Sequence, residues 1–325
     1  MIGIRISNIQ YRIPMPYEKL VLVTRKTRLE GLIERFNTLG QAQFYLEHSG
    51  GDFALYEREH ETYYKAVRAL RKSLSGLIKF QEIERGFLPN FYFDKGDIVV
   101  TVGIDGLVVN TAKYLDGQPI VAVNPDPVHI DGILLPFTVT SAPAAVRSVL
   151  KGGAMLRKIS MAQVTLNDGQ SLLAFNDLFI VARTHISARY SIRVGETEEH
   201  HSSSGIIVST SVGSTGWLSS TFNMVNGMLG RFGGEHHATV LAAPRFQWED
   251  EKLIYVVREP FISKTTRAQM VCGMISPESP LIIRSEMPEG GVIFSDGVEA
   301  DFLAFNAGAT ATIGLAPKKT YLVMA

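Results

Sequence analysis

The sequence predicts two folded parts: an α/β N-terminal domain with a parallel sheet over residues 1–150, and a predominantly β domain over 151–325. The last strand or tail is left room to return to the first domain. Three observations carry this reading. In the first half, short β-branched runs alternate with segments of helical spacing, the pattern of a parallel sheet covered on both faces. In the second half, short strands separated by turn residues follow one another, interrupted by one helix. Finally, 325 residues with 46% hydrophobic content suffice for two cores.

Residues 1–18 are broken by Pro14 and Pro16, and Lys19–Val23 is then a short buried strand. Thr27-Arg-Leu-Glu30 is a capping box, followed by Leu29, Leu32, Ile33 and Phe36 on one helical face. Arg25, Lys26 and Arg28 thus sit in a strand-to-helix loop, where they are either solvated or attract phosphate. Gln43–Leu46 is read as a second strand, and Tyr63, Val67, Leu70 and Leu74 mark a long helix. Phe87–Phe93 is read as extended. Ile98–Val102 has the pattern of a strand buried on both faces, and Gly103-Ile104-Asp105-Gly106 turns it into a helix with Leu107, Val108, Ala112 and Leu115 at helical spacing. Ile120–Val123 is another buried strand. Ser141-Ala-Pro143 starts a helix that stops before Gly152-Gly153, with serine as its cap.

Beyond that point the grammar changes. Met155–Leu166 and Ser171–Phe175 around Asn167-Asp-Gly169 form a hairpin. Leu178–Ala182, Arg189–Val194, Gly205–Thr210, Lys252–Arg258, Arg267–Met274, Leu281–Arg284, Gly291–Ser295 and Val298–Phe305 are further strands. The helix runs from about Thr215 to Leu229, and Glu196–Glu199 is read as a solvated loop.

Composition narrows the function. Balanced charge, 32 basic against 32 acidic residues, argues against a general nucleic-acid or membrane-surface binder. The single cysteine, Cys272, excludes an intramolecular disulfide framework and is read as a buried small hydrophobe. No signal peptide and no membrane-length apolar run is recognisable, so a cytoplasmic protein is expected. His200-His201 and His236-His237 are metal-ligating types, but adjacent residues seldom face one ion and no completing set is near, so no metal site is expected.

Three segments carry chemistry. The glycine turn at 103–106 points N–H groups and a helix dipole at its surroundings, which suits a phosphate. There Asp105 is a base toward a hydroxyl or answers a cation, unless the segment is an ordinary turn. Asn176-Asp177 is either a simple turn or an amide and carboxylate reaching ribose hydroxyls. Gly205–Trp217 runs strand, Ser/Thr/Gly turn, helix. It is a capped helix, or a site whose hydroxyls and N–H groups hold phosphate or amide while Trp217 packs on a base.

Gly103-Ile-Asp-Gly106 resembles the Gly-Gly-Asp-Gly-Thr signature of the NAD kinases and their lipid-kinase relatives, with Ile104 and Leu107 replacing glycine and threonine. Asn176-Asp177 is similar to the family's nucleoside-binding Asn-Glu pair. Ser209, Thr210, Gly213, Ser214 and Thr215 match the stretch Val-Ser-Thr-Pro-Thr-Gly-Ser-Thr-Ala-Tyr, with Trp217 for its tyrosine. Phe294-Ser-Asp296-Gly297 resembles a late Asp-Gly turn of the family. The resemblance, patchy over roughly residues 19–310, implies the two-domain NAD kinase fold and phosphoryl transfer from ATP, with Mg²⁺, to the adenosine ribose 2′-hydroxyl of NAD. It implies Asp105 as general base, and Gly103 and Gly106 as points of backbone approach to phosphate. It makes Asn176 and Asp177 ribose ligands, and Ser209, Thr210, Gly213, Ser214, Thr215 and Trp217 the rest of the dinucleotide site. It also implies a homo-oligomer associating through the β domain, with small-molecule partners and neither nucleic acid nor membrane. A Cβ at Ile104 crowds any backbone that needs positive φ or close phosphate approach. Two alternatives therefore stand, a degenerate NAD(P)(H)-binding sensor and a kinase of another hydroxyl acceptor, sugar or lipid.

Overall fold

The computed structural model describes residues 17–233, 240–242, 244 and 246–325. Pro14, Pro16 and His236-His237 lie outside the described residues. The chain divides into two units, one reaching Arg157 and including Thr320–Ala325, the other Lys158–Lys319.

The first unit is α/β. Its parallel sheet is built from β1 (Lys19–Thr24), β2 (Lys79–Glu84), β3 (Asp97–Val102), β4 (Pro119–Asn124) and the short β5 (Phe137–Thr138), in the order β2-β1-β3-β4-β5. Every residue of β3 and β4 is buried, as strands covered on both faces require. The helices are α1 (Arg28–Phe36), α2 (Leu39–His48), α3 (Phe53–Leu74), α4 (Asp105–Ala112) and α5 (Ala142–Leu150). One core packs Leu20, Leu22, Val100 and Val121 of the sheet against Tyr63, Val67 and Leu70 of α3 and Val146 of α5. Each such apolar side chain contributes about 1.5–3 kcal/mol by leaving water. The capping box at Thr27 forms, the Thr27 amide donating to Glu30 and Glu30 N–H donating to the Thr27 hydroxyl.

The second unit is β-rich. Its strands are β6 (Leu156–Leu166), which starts just before the unit boundary, β7 (Ser171–Ala174), β8 (Asp177–Ala182), β9 (Ala188–Val194), β10 (Thr197–Ser203) and β11 (Ile206–Ser209). After α6 (Trp217–Phe232) come β12 (Leu253–Val257), β13 (Cys272–Ile275), β14 (Leu281–Ser285), β15 (Gly291–Ser295), β16 (Val298–Ala304) and β17 (Thr310–Val323). An antiparallel sheet ordered β13-β12-β11-β8-β15-β16 faces strands β10-β9-β14-β17 and the β6–β7 hairpin. Their shared core includes Leu178, Ile180, Ile206 and Val208 from one side and Tyr190, Ile192, Ile283 and Ile313 from the other. The end of β17 belongs to the first unit, where Tyr321 and Leu322 pair in parallel with Pro119 and Ile120 of β4.

Several local expectations need correction. Gln43–Leu46 is helical, inside α2, because Thr38 caps a segment free of β-branched residues and buries Ala42 and Leu46 one turn apart. Lys79–Glu84 is an unforeseen strand; it is a sheet edge in which only Ile83 is fully buried, so its sequence is mostly polar. Residues 85–90 form a 3₁₀ turn rather than extended chain. Ser141 precedes α5 without capping it, its hydroxyl accepting instead from the Thr138 amide. Glu196–Glu199 is not a solvated loop: β10 turns Glu199, His201 and Ser203 inward by strand alternation. Residues 267–271 lie outside β13. Cys272 is exposed, because β13 is the edge of its sheet. Finally, β17 was hidden by Gly314 and by Pro317-Lys318-Lys319, which interrupt its apolar pattern.

Candidate functional site

In the first unit the glycine turn is strand, turn and helix. The Gly103 amide donates to the Val123 carbonyl at the end of β4 (3.2 Å). A Cβ on Gly103 would meet Leu107 Cδ2 at 3.1 Å and Arg25 Nε at 3.3 Å, so Gly103 leaves room for the Arg25 side chain. Ile104 has φ −105° and ψ 167°, ordinary extended backbone. The position needs no glycine for its torsions, and the expected crowding from positive φ does not arise. Its side chain is 42% exposed. Gly106 is open, with only Ile104 Cδ1 near the place of its missing Cβ, at 3.9 Å.

Asp105 occupies the first position of α4, where the positive end of the helix dipole favours a carboxylate. Both oxygens accept backbone N–H groups, Oδ1 from Leu134 and Oδ2 from Ile133, each at 3.1 Å. The side chain therefore ties the start of α4 to the loop leading into β5. A carboxylate has about four lone-pair directions, so two remain for other donors. The basic loop after β1 is internally matched. Arg25 pairs with Glu59 (2.9 Å), Arg28 pairs with the same Glu59, and Lys26 pairs with Glu34. Arg25 Nε is buried and has no hydrogen-bond partner among the described residues.

In the second unit the two other motifs interlock. Asn176 and Asp177 lie at the turn into β8, and Ser209 at the end of β11 pairs with Asp177. Thr210 holds this turn twice, its amide donating to the Asn176 carbonyl (2.8 Å) and its hydroxyl to the Phe175 carbonyl (2.6 Å). Gly213 N–H donates to the Thr210 hydroxyl at 3.2 Å. A Cβ on Gly213 would lie 2.1 Å from the Asn176 carbonyl oxygen, so only glycine permits this approach. The Ser209, Thr210 and Ser214 hydroxyls are buried and donate to loop carbonyls, Ser214 to Ser211 at 2.6 Å. They build the loop, whereas Thr215 and Trp217 are exposed.

Trp217 packs on Phe179 at 4.7 Å between ring centroids, and the Arg258 guanidinium lies 5.6 Å from each ring. Sequence reasoning passed over Phe179 and Arg258. The available signal was alternation along β8, which puts Asp177 and Phe179 on one face with Leu178 and Ile180 in the core. The Asp296 carboxylate receives the amides of Phe175, Asn176 and Asp177. Burial, and then the nearby Asp296, push the Asp177 carboxyl up from its ordinary 3.8 to about 7.

This shift has a sign that can be tested. Between pH 3.8 and about 7 the folded chain keeps the Asp177 proton that the unfolded chain has lost, so stability falls with rising pH and levels above 7. Asp177→Asn removes that dependence. Urea unfolding should show the variant gaining on the parent progressively from pH 4 to 7 and holding the gain at pH 8. A constant difference would contradict the assignment.

Of the two histidine pairs, only His200-His201 is among the described residues. His200 and His201 point to opposite sides of β10, His200 toward Glu286 (2.7 Å) and His201 into the core with Nε2 2.7 Å from Glu199. Among the described residues, no three His, Cys, Asp or Glu side chains are placed to share an ion. Among them, too, no helix is long and apolar enough to cross a membrane.

No family model matches the chain. In sequence it is 28% identical over 128 residues to an NAD kinase of Clostridium kluyveri, covering 37% of this chain and 44% of that protein. It is 32% identical over 126 residues to an NAD kinase of Chlorobium chlorochromatii, covering 37% and 43%. The chain thus matches less than half the length of these curated relatives. In structure it is similar to an NAD kinase from Archaeoglobus fulgidus in complex with ATP, with TM-score 0.57 and 16% identity over 93% of this chain and 92% of that one. A yeast NADH kinase complexed with NADH gives TM-score 0.57 and 12% identity over 96% and 84%. These likenesses share the α/β plus β-rich fold, and with the sequence matches they support a divergent member of the NAD kinase family.

Proposed function

We propose that this divergent relative of the NAD kinases is a phosphotransferase that moves the γ-phosphoryl group of ATP to the adenosine ribose 2′-hydroxyl of NAD. The observation that carries the reading is the lock between two motifs far apart in sequence. Thr210 and Gly213 hold Asn176-Asp177 in one fixed turn, with Asp177, Phe179 and Trp217 beside it. An amide, a carboxylate and an aromatic face are the groups that a nucleoside's hydroxyls and base require.

On this reading Asn176 and Asp177 take ribose hydroxyls, and Thr215 and Trp217 border the base. The buried Ser209, Thr210, Gly213 and Ser214 keep the loop in shape. In the first unit, Gly106 leaves the backbone at the start of α4 open to phosphate, Gly103 makes room beside the turn for the Arg25 side chain, and Asp105 accepts the proton of the attacking 2′-hydroxyl. The new bond joins that oxygen to the γ-phosphorus while the bond from the γ-phosphorus to the β–γ bridging oxygen breaks, giving NADP and ADP. Mg²⁺ enters as part of the nucleotide substrate and offsets phosphate charge. Positioning and charge stabilisation supply most of the rate. The protein acts as a homo-oligomer in the cytoplasm.

A second reading is favoured by one observation, the engagement of both Asp105 oxygens by backbone amides beside an exposed Ile104. A site built that way can bind a dinucleotide without turning it over. Incubation of the purified chain with ATP, Mg²⁺ and NAD should yield NADP and ADP in equal amounts. Binding of NAD or NADH with no product would move the assignment to a sensor, and product from a sugar or lipid alone would move it to another kinase.

A further inference from the structure

The turn that presents Asn176 and Asp177 is held from two sides, and only one of them has been given a part in the dinucleotide site. The other is Asp296, between β15 and β16. Its Oδ2 accepts the Phe175 amide at 3.0 Å, and its Oδ1 accepts the amides of Asn176 at 2.7 Å and Asp177 at 3.2 Å. The Asp296 amide returns a bond to the Asp177 carbonyl at 3.0 Å. Asp296 adopts φ 54°, left-handed backbone that Asp tolerates better than most side chains, and Gly297 follows at φ 68°. Three successive N–H groups converging on one carboxylate make a rigid anchor, since each charge-assisted bond is stronger than a neutral one.

We propose that Asp296 is a positioning residue for nucleoside binding: it fixes the Asn176-Asp177 turn and supplies the negative field in which Asp177 meets the ribose. This rests on the dinucleotide reading above. The surroundings single out Asp296 electrostatically. β11 places the neutral Ser209 opposite Asp177, β15 ends in the neutral Ser295, and the 210–213 turn adds Thr210 and Gly213. β16, beyond the turn, carries Glu299 and Asp301, but the charged group that contributes to the raised Asp177 carboxyl is Asp296. An ionised Asp177 accepts two hydroxyls, and a protonated one has less acceptor capacity. Ribose binding should therefore strengthen as pH rises through 7, and Asp296 should set where that limb lies.

Two variants of the full chain separate anchor from field. Asp296→Gly keeps the left-handed turn but removes both anchor and charge; at pH 8.5, where Asp177 is ionised in parent and variant alike, only the lost anchor counts and NAD affinity should fall at least about tenfold. Asp296→Asn keeps an acceptor and removes the charge. It should recover much of that affinity at pH 8.5 and shift the acid limb to lower pH, together with the Asp177 carboxyl titration followed by ¹³C NMR. A purely structural residue would lower affinity equally at every pH. Parental affinity in Asp296→Gly, or an unmoved Asp177 titration in Asp296→Asn, overturns the proposal. If the parent binds neither NAD nor NADH, the functional reading fails on its own. The ligand-free readouts then still decide this one, because large shifts of the Phe175, Asn176 and Asp177 amides are expected in Asp296→Gly, and unchanged amides overturn it.

Discussion

NADP formation should fall by about 10²–10⁴-fold in Asp105→Asn, the range that a positioned general base contributes. Asparagine keeps the size of the side chain and one carbonyl acceptor, so Leu134 or Ile133 retains its bond while the amide NH₂ faces the other N–H. A lost bond of this kind costs about 1–3 kcal/mol, so a modest drop in melting temperature accompanies the loss of activity. The two effects are separable. If Asp105 serves only to tie α4 to the loop before β5, the variant will be less stable yet turn over at the parental rate once folded. Coupled-enzyme detection of NADP at saturating ATP and NAD, on protein shown to be folded, distinguishes them. An unchanged kcat removes Asp105 from catalysis.

Gly213→Ala should be among the most damaging single substitutions in the second unit. The added methyl would lie 2.1 Å from the Asn176 oxygen, 2.7 Å from its carbonyl carbon and 2.9 Å from Ser209 Oγ. Two of those atoms are backbone within a turn held by Thr210, so they cannot rotate away as a flexible side chain would. Overpacking of this severity costs about 3 kcal/mol. Urea unfolding should show that loss, and NAD binding should fail even at temperatures where the protein stays folded. Gly227 is the control. It lies on exposed α6, where an added Cβ would have nothing within 4 Å, and alanine there should hold or raise stability. A Gly213→Ala variant as stable as the parent would mean that the Thr210–Asn176 lock does not exist as described.

The elements that the sequence revealed are those in which one physical signal dominates. β3 and β4 are buried on both faces and read as unbroken β-branched runs, and α3 carries a regular apolar stripe. The division into an α/β half and a β half followed from the same alternation. Elements at sheet edges were misread because only part of their surface is buried. β2 buries Ile83 and little else, and β10 hides Glu199 and His201 behind a polar composition. For the candidate site, resemblance to the NAD kinase motifs marked Asn176, Asp177 and the 209–217 stretch. It did not reveal that Ser209, Thr210 and Ser214 spend their hydroxyls on neighbouring carbonyls. It marked Asp296 as part of a late Asp-Gly turn, but not that its carboxylate receives the Asn176 amide, 120 positions away in sequence. Of the two difficulties expected at Ile104, the torsional one does not arise, since any residue can adopt its φ of −105° and ψ of 167°.

The return of Thr320–Ala325 to the first unit has a consequence for biosynthesis. Leu322 and Val323 are each 1% exposed, and they complete the flank of β4. As the chain leaves the ribosome, the α/β half emerges early but lacks this strand until the β-rich half has been synthesised. An edge of β4 meanwhile stands open, able to pair with the wrong partner. Late-arriving residues therefore govern when the early half becomes fully protected.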